Sequence, residues 1–157
     1  FLRQLKLRGF SVKLDTNGGR PAVLEQLLQA KPFPLSDYIA MDIKAPWSRY
    51  PDVCGCGPEV AENVQESVSI LSRLAAGAGV EWELRTTVVP QLSEDDLVEM
   101  ASSLPPVPLY ALQQYRRPEV FRPEDRFRVA AAALTPEGLE RAAVRMRAFQ
   151  PNVIVRA

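Results

Sequence analysis

The sequence predicts an α/β fold: a partial (β/α) barrel with a parallel sheet of four main strands, flanking helices and a short C-terminal strand. Three observations carry this. Segments of buried-strand residues alternate with segments of helical spacing along the chain, an order that implies parallel strands joined by right-handed crossovers. Three strand segments, residues 12–18, 38–46 and 82–90, run directly into polar groups that include Asp15-Thr16-Asn17-Gly18, Asp42 with Lys44, and Arg85. Beyond the carboxyl ends of such strands lies the ligand in folds of this kind, so these groups are expected to meet at one mouth. Finally, 157 residues with 46% hydrophobic content suffice for one sizeable core, which predicts a single domain over 1–157.

Taken in order, the chain opens on helical spacing, with Leu2 and Leu5 on one stripe and Gly9 as the stop. A first strand is expected over 11–16. Asn17-Gly18-Gly19 makes the turn, Pro21 suits the first turn of a helix buried through Leu24, Leu27 and Leu28, and Lys31-Pro32 ends it. The second strand covers 37–44. A loop rich in proline and glycine follows, with Trp47 and Tyr50 packing it and Cys54-Gly55-Cys56-Gly57 forming a turn. The next helix is longer, buries Val60, Val64, Ser67, Val68, Leu71 and Leu74, and closes at Gly77 and Gly79.

The third strand spans 80–89. Ser93 then caps a helix whose first turn is acidic and whose continuation is barred by Pro105, Pro106 and Pro108. A fourth strand over 109–115 leads into residues 116–128, rich in arginine and proline and read as irregular. Thr135-Pro136-Glu137 starts the last helix, with Leu139, Ala142, Ala143, Met146 and Phe149 on its apolar side, and 152–156 reads as a short strand.

Charge and composition exclude several function classes. Lysine plus arginine equal aspartate plus glutamate at 19 each, so no global field draws the molecule to nucleic acid or an anionic membrane. The arginines of 116–128 are interleaved with Glu119, Glu124 and Asp125 and suit a solvated loop or a protein docking surface. No apolar run approaches the roughly 20 residues of a spanning helix, and the first residues lack a signal-peptide pattern, so a cytoplasmic protein is expected. Histidine is absent, which removes the commonest neutral-pH base and zinc ligand. The two cysteines, Cys54 and Cys56, are expected as reduced thiols and are too few for an iron-sulfur cluster.

Among the polar groups, Asp42 and Lys44 are two apart on one strand and share a face, where they hold a ligand or pair with each other. Arg85 shares a face with Glu83 and Thr87 and either holds a carboxylate or pairs with Glu83. Asn17-Gly18 is turn chemistry before it is ligand chemistry. Gln113 and Tyr115 line the substrate side of the mouth or pack the core.

The segments Lys13-Leu14-Asp15-Thr16-Asn17-Gly18, Asp37 to Pro46, Glu83 to Pro90 and Leu112-Gln113-Gln114-Tyr115 resemble, in order and spacing, the back part of the radical S-adenosylmethionine (SAM) activating enzymes. They are most like the activating protein of anaerobic ribonucleoside-triphosphate reductase and its relative, the pyruvate formate-lyase activating enzyme. The resemblance implies that the four strands correspond to the third through sixth of a partial barrel lacking its first two repeats, in a fragment or truncated gene product. It implies a parent that cleaves SAM to a 5'-deoxyadenosyl radical, which abstracts hydrogen from a glycine of a partner glycyl radical enzyme. SAM and a 4Fe-4S cluster are the parent family's cofactors. The family's CxxxCxxC loop and GGEP-type strand end are absent here, so neither a cluster nor activity is expected of this chain alone.

SAM-binding roles are implied for Asp15, Thr16, Asn17, Asp42, Lys44 and Arg85, the first two as hydrogen-bond partners of SAM or oxygen ligands of a bridging cation. No catalytic residue or metal ligand carries over. The competing expectation is a non-catalytic remnant domain that binds a small ligand or another protein. An open first strand also predicts a homo-oligomer formed through the sheet edge.

Overall fold

In the computed structural model, which describes residues 1–156, five strands lie side by side in chain order. They are β1 (Lys13–Thr16), β2 (Tyr38–Asp42), β3 (Glu81–Val88), β4 (Tyr110–Gln114) and β5 (Val153–Arg156). Every neighbouring pair is parallel. Each crossover therefore steps one strand further in the same direction, and right-handed connections of that kind bring all the helices to one side of the sheet. This is the winding of a β/α barrel, as expected; a doubly wound sheet would reverse direction at its middle.

The two faces of the sheet differ accordingly. Ile39, Met41, Trp82, Leu84, Thr86, Val88, Tyr110, Leu112 and Val153 alternate onto the helical side and are buried there. Against them pack the buried stripes of α2 (Pro21–Leu28), α4 (Glu59–Ala78), α5 (Glu94–Ser102) and α7 (Pro136–Met146), contributing Leu24, Val64, Leu71, Leu97, Leu139 and Met146 to one continuous core. The opposite face carries Lys13, Asp15, Asp42, Glu83, Arg85, Thr87, Gln113 and Arg156. A barrel's inner wall is thus polar in this chain. Three residues of that face, Ala40, Glu83 and Ala111, are nonetheless buried, beneath the long side chains around them.

Local chemistry explains the boundaries. Ser93 accepts the Asp96 N–H at 3.1 Å while the Asp96 carboxylate accepts the Ser93 N–H at 2.8 Å, a reciprocal cap that fixes the start of α5. Thr135 accepts the Gly138 N–H at 3.2 Å and starts α7 with a one-way cap, since Gly138 has no side chain to reciprocate. The long helix ends at Gly79, which takes the left-handed conformation (φ 69°), whereas Gly77 lies inside it and is not a stop.

Two stretches expected to be irregular are partly ordered. After β2 a 3-10 turn, Trp47–Arg49, runs into α3 (Tyr50–Cys54), and Tyr50 is a core residue stacked on Trp47 with ring centroids 5.9 Å apart. After β4 a 3-10 turn, Pro123–Asp125, leads into α6 (Arg126–Ala130). Pro123 presets the first turn's φ, and a five-residue helix is too short to show a period. At the amino end α1 (Leu2–Leu7) is tied to the sheet by Lys6, whose ammonium donates to Asp37, and the Asp37 carboxylate also accepts the Val12 N–H at 2.7 Å. No helix among the described residues is long and apolar enough to cross a membrane.

Candidate functional site

Strand register builds the site. Asp42 and Arg85 are direct neighbours across β2 and β3, and Asp15 lies beside Ala40, whose methyl leaves space for a long side chain to cross β2. Arg85 uses that space. Its Nε donates to Asp42 Oδ1 at 3.0 Å, its Nη2 lies 2.9 Å from the same oxygen, and its Nη1 donates to Asp15 Oδ1 at 2.6 Å. Lys44 Nζ stands 3.5 Å from Asp42 Oδ2, and Lys13 Nζ stands 3.7 Å from Asp15 Oδ1. Burial pulls the Arg85 guanidinium down, but the two carboxylates outweigh it and hold its pKa above the ordinary range.

Four of the expected residues, Asp15, Asp42, Lys44 and Arg85, therefore come together at the carboxyl ends of three adjacent strands. Thr16 and Asn17 do not join them. Thr16 alternates onto the other face and its Oγ1 accepts the Gly18 N–H at 3.1 Å, while Asn17 Oδ1 accepts the Gly19 N–H at 3.0 Å. Both side chains close the turn between β1 and α2. Of the two alternatives for Arg85, the pairing with Glu83 does not form. Residues two apart on a strand are separated by nearly 7 Å of backbone, whereas strands lie about 4.8 Å apart, so the cross-strand Asp42 wins. Glu83 is instead held by Arg156, which donates to it through Nη1 at 3.0 Å and Nη2 at 2.7 Å.

Beside the charged row opens a cavity of about 470 Å³ over the ends of β2, β3 and β4. Asp42, Lys44, Thr87 and Tyr115 form its polar floor. Tyr115 thus faces the cavity, while Gln113 sits one row below and accepts the Thr87 hydroxyl at a long 3.4 Å. Apolar wall comes from Ile43, Val53, Val89, Phe121 and Val129. The volume lies within the range of small-molecule sites, roughly 300–1,000 Å³.

The sequence reading missed the contribution of residues 116–129. This loop closes one side of the cavity through Phe121, Arg122, Arg128 and Val129. It is pinned by Arg128, whose Nη2 donates to the carbonyls of Asp52 and Val53 in the last turn of α3 at 3.0 and 2.8 Å, and by Gln91, whose amide donates to the Arg128 carbonyl at 2.9 Å. The available signal was the apolar residues Val120, Phe121, Phe127 and Val129 set among charges, of which Phe121 and Val129 line the cavity while Val120 and Phe127 are exposed. Arg117 lies over the Phe121 ring at 5.8 Å from its centroid and shields it from water.

Chemically, the row suits a zwitterion. Carboxylates of Asp15 and Asp42 attract cationic groups, Lys44 and the spare donors of Arg85 attract an anionic one, and the apolar wall accepts a flat, weakly polar body. Among the described residues no three of histidine, cysteine, aspartate and glutamate are grouped to hold a metal ion.

No family model matches this sequence. A protein of Methanocaldococcus jannaschii provisionally named as a glycyl-radical enzyme activating enzyme is 34% identical to it over 123 residues. The match takes in 78% of this chain and 50% of that protein. The chain thus spans about half the length of the curated relative it matches.

Proposed function

We propose that this chain is the SAM-holding portion of a radical SAM enzyme that activates a glycyl radical enzyme. The observation that carries the reading is Arg85 held between Asp15 and Asp42, with Lys44 alongside, at the strand ends next to a cavity of small-molecule size. The similarity to a provisionally named glycyl-radical enzyme activating enzyme supports it.

SAM is a zwitterion with an added sulfonium at one end and a flat adenine at the other. Asp42 and Asp15 suit its cationic groups, Lys44 its carboxylate, and Ile43, Val89 and Phe121 its adenosine body. When bound, SAM supplies a carbon-sulfur bond open to reductive cleavage, in the service of removing hydrogen from a partner's glycine. This chain's own residues bind and orient the zwitterion, and the loop over 116–129 excludes water from it.

The thiols present do not fit a 4Fe-4S cluster. Cys54 and Cys56 are two, a single residue apart, where a cluster takes three or four thiolates, so no electron-transfer step is assigned to this chain.

Titration calorimetry of the chain with SAM and with S-adenosylhomocysteine tests the reading. SAM is expected to bind about ten-fold more tightly, because only it carries the sulfonium charge that the carboxylates recognise. Asp42→Asn should remove that preference and Lys44→Ala should weaken both ligands. Equal affinity of the two ligands, or no heat with either at millimolar concentration, overturns it.

A further inference from the structure

We propose that Cys54 and Cys56 are a redox modification site: on meeting a small-molecule disulfide in the cavity they close to an intramolecular disulfide that releases the loop over 116–129 from the end of α3. The two thiols are brought together by the backbone. Cys54 is the last residue of α3, Gly55 takes the left-handed conformation (φ 64°, ψ 40°), and the Gly55 and Cys56 N–H groups both donate to the Pro51 carbonyl at 2.8 and 3.3 Å. Cys56 is thereby folded back over the helix end, its Sγ 3.9 Å from the Tyr50 carbonyl. Across one residue in such a turn the α-carbons fall within the separation that a disulfide spans. Both side chains are partly accessible, and Cys54 forms part of the cavity wall.

Cys54 is the thiol placed to attack first, because it is the one of the pair that lines the cavity. Burial and the neighbouring Cys56 hold its thiol above the ordinary range against the smaller pull of Lys44 and Arg128, so its thiolate is scarce at neutral pH and exchange quickens as pH rises. That thiolate attacks one sulfur of the small disulfide, forming a mixed disulfide and expelling one small thiolate. Cys56 then attacks the Cys54 sulfur of the mixed disulfide, forming the Cys54–Cys56 bond and expelling the second. Two protein thiols are oxidised and one external disulfide is reduced to two thiols, with the protons passing to the leaving groups or to water.

The consequence follows from what else sits at this helix end. Arg128 reaches its loop's anchor through the carbonyls of Asp52 and Val53, which belong to the same final turn as Cys54. Closing a ring across one residue draws Cys54 toward Cys56, and the Gly55 turn and the carbonyls of the last turn of α3 shift with it. Arg128 then loses its acceptors, and one wall of the cavity comes free.

The test treats the reduced chain with oxidised glutathione and reads intact mass, with limited trypsin digestion scored at the bond after Arg128. The mass should fall by two hydrogens, cleavage after Arg128 should rise roughly ten-fold because opening the loop no longer breaks charge-assisted hydrogen bonds, and dithiothreitol should reverse both. Cys56→Ser should stop at a persistent glutathione adduct on Cys54. A wild-type chain that stays reduced, accumulates the mixed adduct, links to a second copy, or closes the ring with unchanged cleavage after Arg128 overturns the proposal.

Discussion

Arg156 lies as a fork on the carboxylate of Glu83, joining the fifth strand to the third over Ala111 of the fourth. Glu83 is 1% exposed and Arg156 39% exposed, so the pair is a buried anion covered by a half-buried cation. Burial alone would raise the Glu83 pKa, but hydrogen bonds from Arg156 and Tyr38 outweigh it and the net shift is downward. Removing Arg156 strands the carboxylate. Arg156→Ala is expected to cost about 3 kcal/mol at pH 7 in urea unfolding.

The pH dependence supplies a sign that lost packing alone would not. In the wild type, a carboxyl held below its unfolded value adds stability above that value and loses it as acid protonates the group. In Arg156→Ala, burial is left to act and Glu83 is raised, so the gap between variant and wild type should narrow from pH 7 toward pH 4. Addition of Glu83→Gln to Arg156→Ala should recover part of the loss. A gap independent of pH would show that Glu83 is not the group involved.

Arg85 gives the second prediction. Its side chain is 15% exposed between an exposed Asp15 and a partly exposed Asp42. With both acceptors reaching water, Arg85→Ala should cost less than the buried pair above, about 1–2 kcal/mol. Arg85→Lys should keep the charge yet fail to bridge, since an ammonium lacks the fork that contacts two carboxylates across a strand. Thermal unfolding of both variants, with Asp15→Asn as the partner in a double-mutant cycle, measures the bridge; a coupling of zero would mean that Arg85 pairs with Asp42 alone.

The same residues divide what the sequence carries locally from what only the fold decides. Patterns within one element were readable: the Ser93 and Thr135 caps, the stripes of Leu24 with Leu28 and Leu139 with Met146, and the parallel order of five strands. Charge pairing was not, because Arg85 meets Asp42 from 43 residues away and Arg156 meets Glu83 from 73. Only strand register decides those partners, and a sequence lists same-strand neighbours first. The cavity wall at 116–129 was hidden for another reason: it is pinned by Arg128 finding helix-end carbonyls and by Gln91 reaching the Arg128 carbonyl, contacts that leave no periodic trace.

Alkaline stability should report on the buried tyrosines. Tyr110 is fully buried, its hydroxyl 2.9 Å from Thr86 Oγ1, and burial raises its pKa to about 12 from 10.0 against the opposing hydrogen bond. The unfolded chain then loses its proton first as pH rises. Stability from this group is therefore fully present below pH 10 and drains between about pH 10 and 12, by roughly 2–3 kcal/mol. Tyr50 is raised in the same direction, first by burial. Tyr110→Phe should lose about 1 kcal/mol at pH 8 for the hydroxyl bond yet decline less steeply above pH 10. Parallel curves for the two proteins would contradict the assignment.

Self-association is expected at the sheet's first edge. Among the described residues β1 pairs only with β2, so its outer backbone groups face outward, and Phe10 and Val23 beside it are 57% and 46% exposed. Unpaired strand edges with apolar neighbours recruit another strand. Sedimentation velocity across micromolar concentrations should show a dimer that Lys13→Pro, which removes an outward-facing N–H while leaving the Val12 and Leu14 backbone bonds to β2 in place, reduces to monomer; a monomer at every concentration rejects the expectation.

Gly18 and Gly9 together separate two reasons for needing glycine. Both have positive φ, 70° and 81°, but a Cβ on Gly18 would stand 2.9 Å from Met41 Sδ, while one on Gly9 meets nothing within 4 Å. Gly18 also offers its carbonyl to Ser67 Oγ at 2.6 Å, which fastens the turn after β1 to α4. Gly9→Ala should therefore cost only the backbone conformation, about 1 kcal/mol, whereas Gly18→Ala adds crowding in a packed core, for about 2–3 kcal/mol in all. The nearest atoms that a Cβ on Gly18 would meet are the flexible end of the Met41 side chain, which is buried and yields by repacking among its core neighbours, so Met41→Ala in the Gly18→Ala background should recover less than its own cavity takes away. Equal losses for the two glycine variants, read by urea unfolding, would mean that the left-handed conformation is the whole requirement and that the turn carrying Asp15 tolerates a side chain against β2.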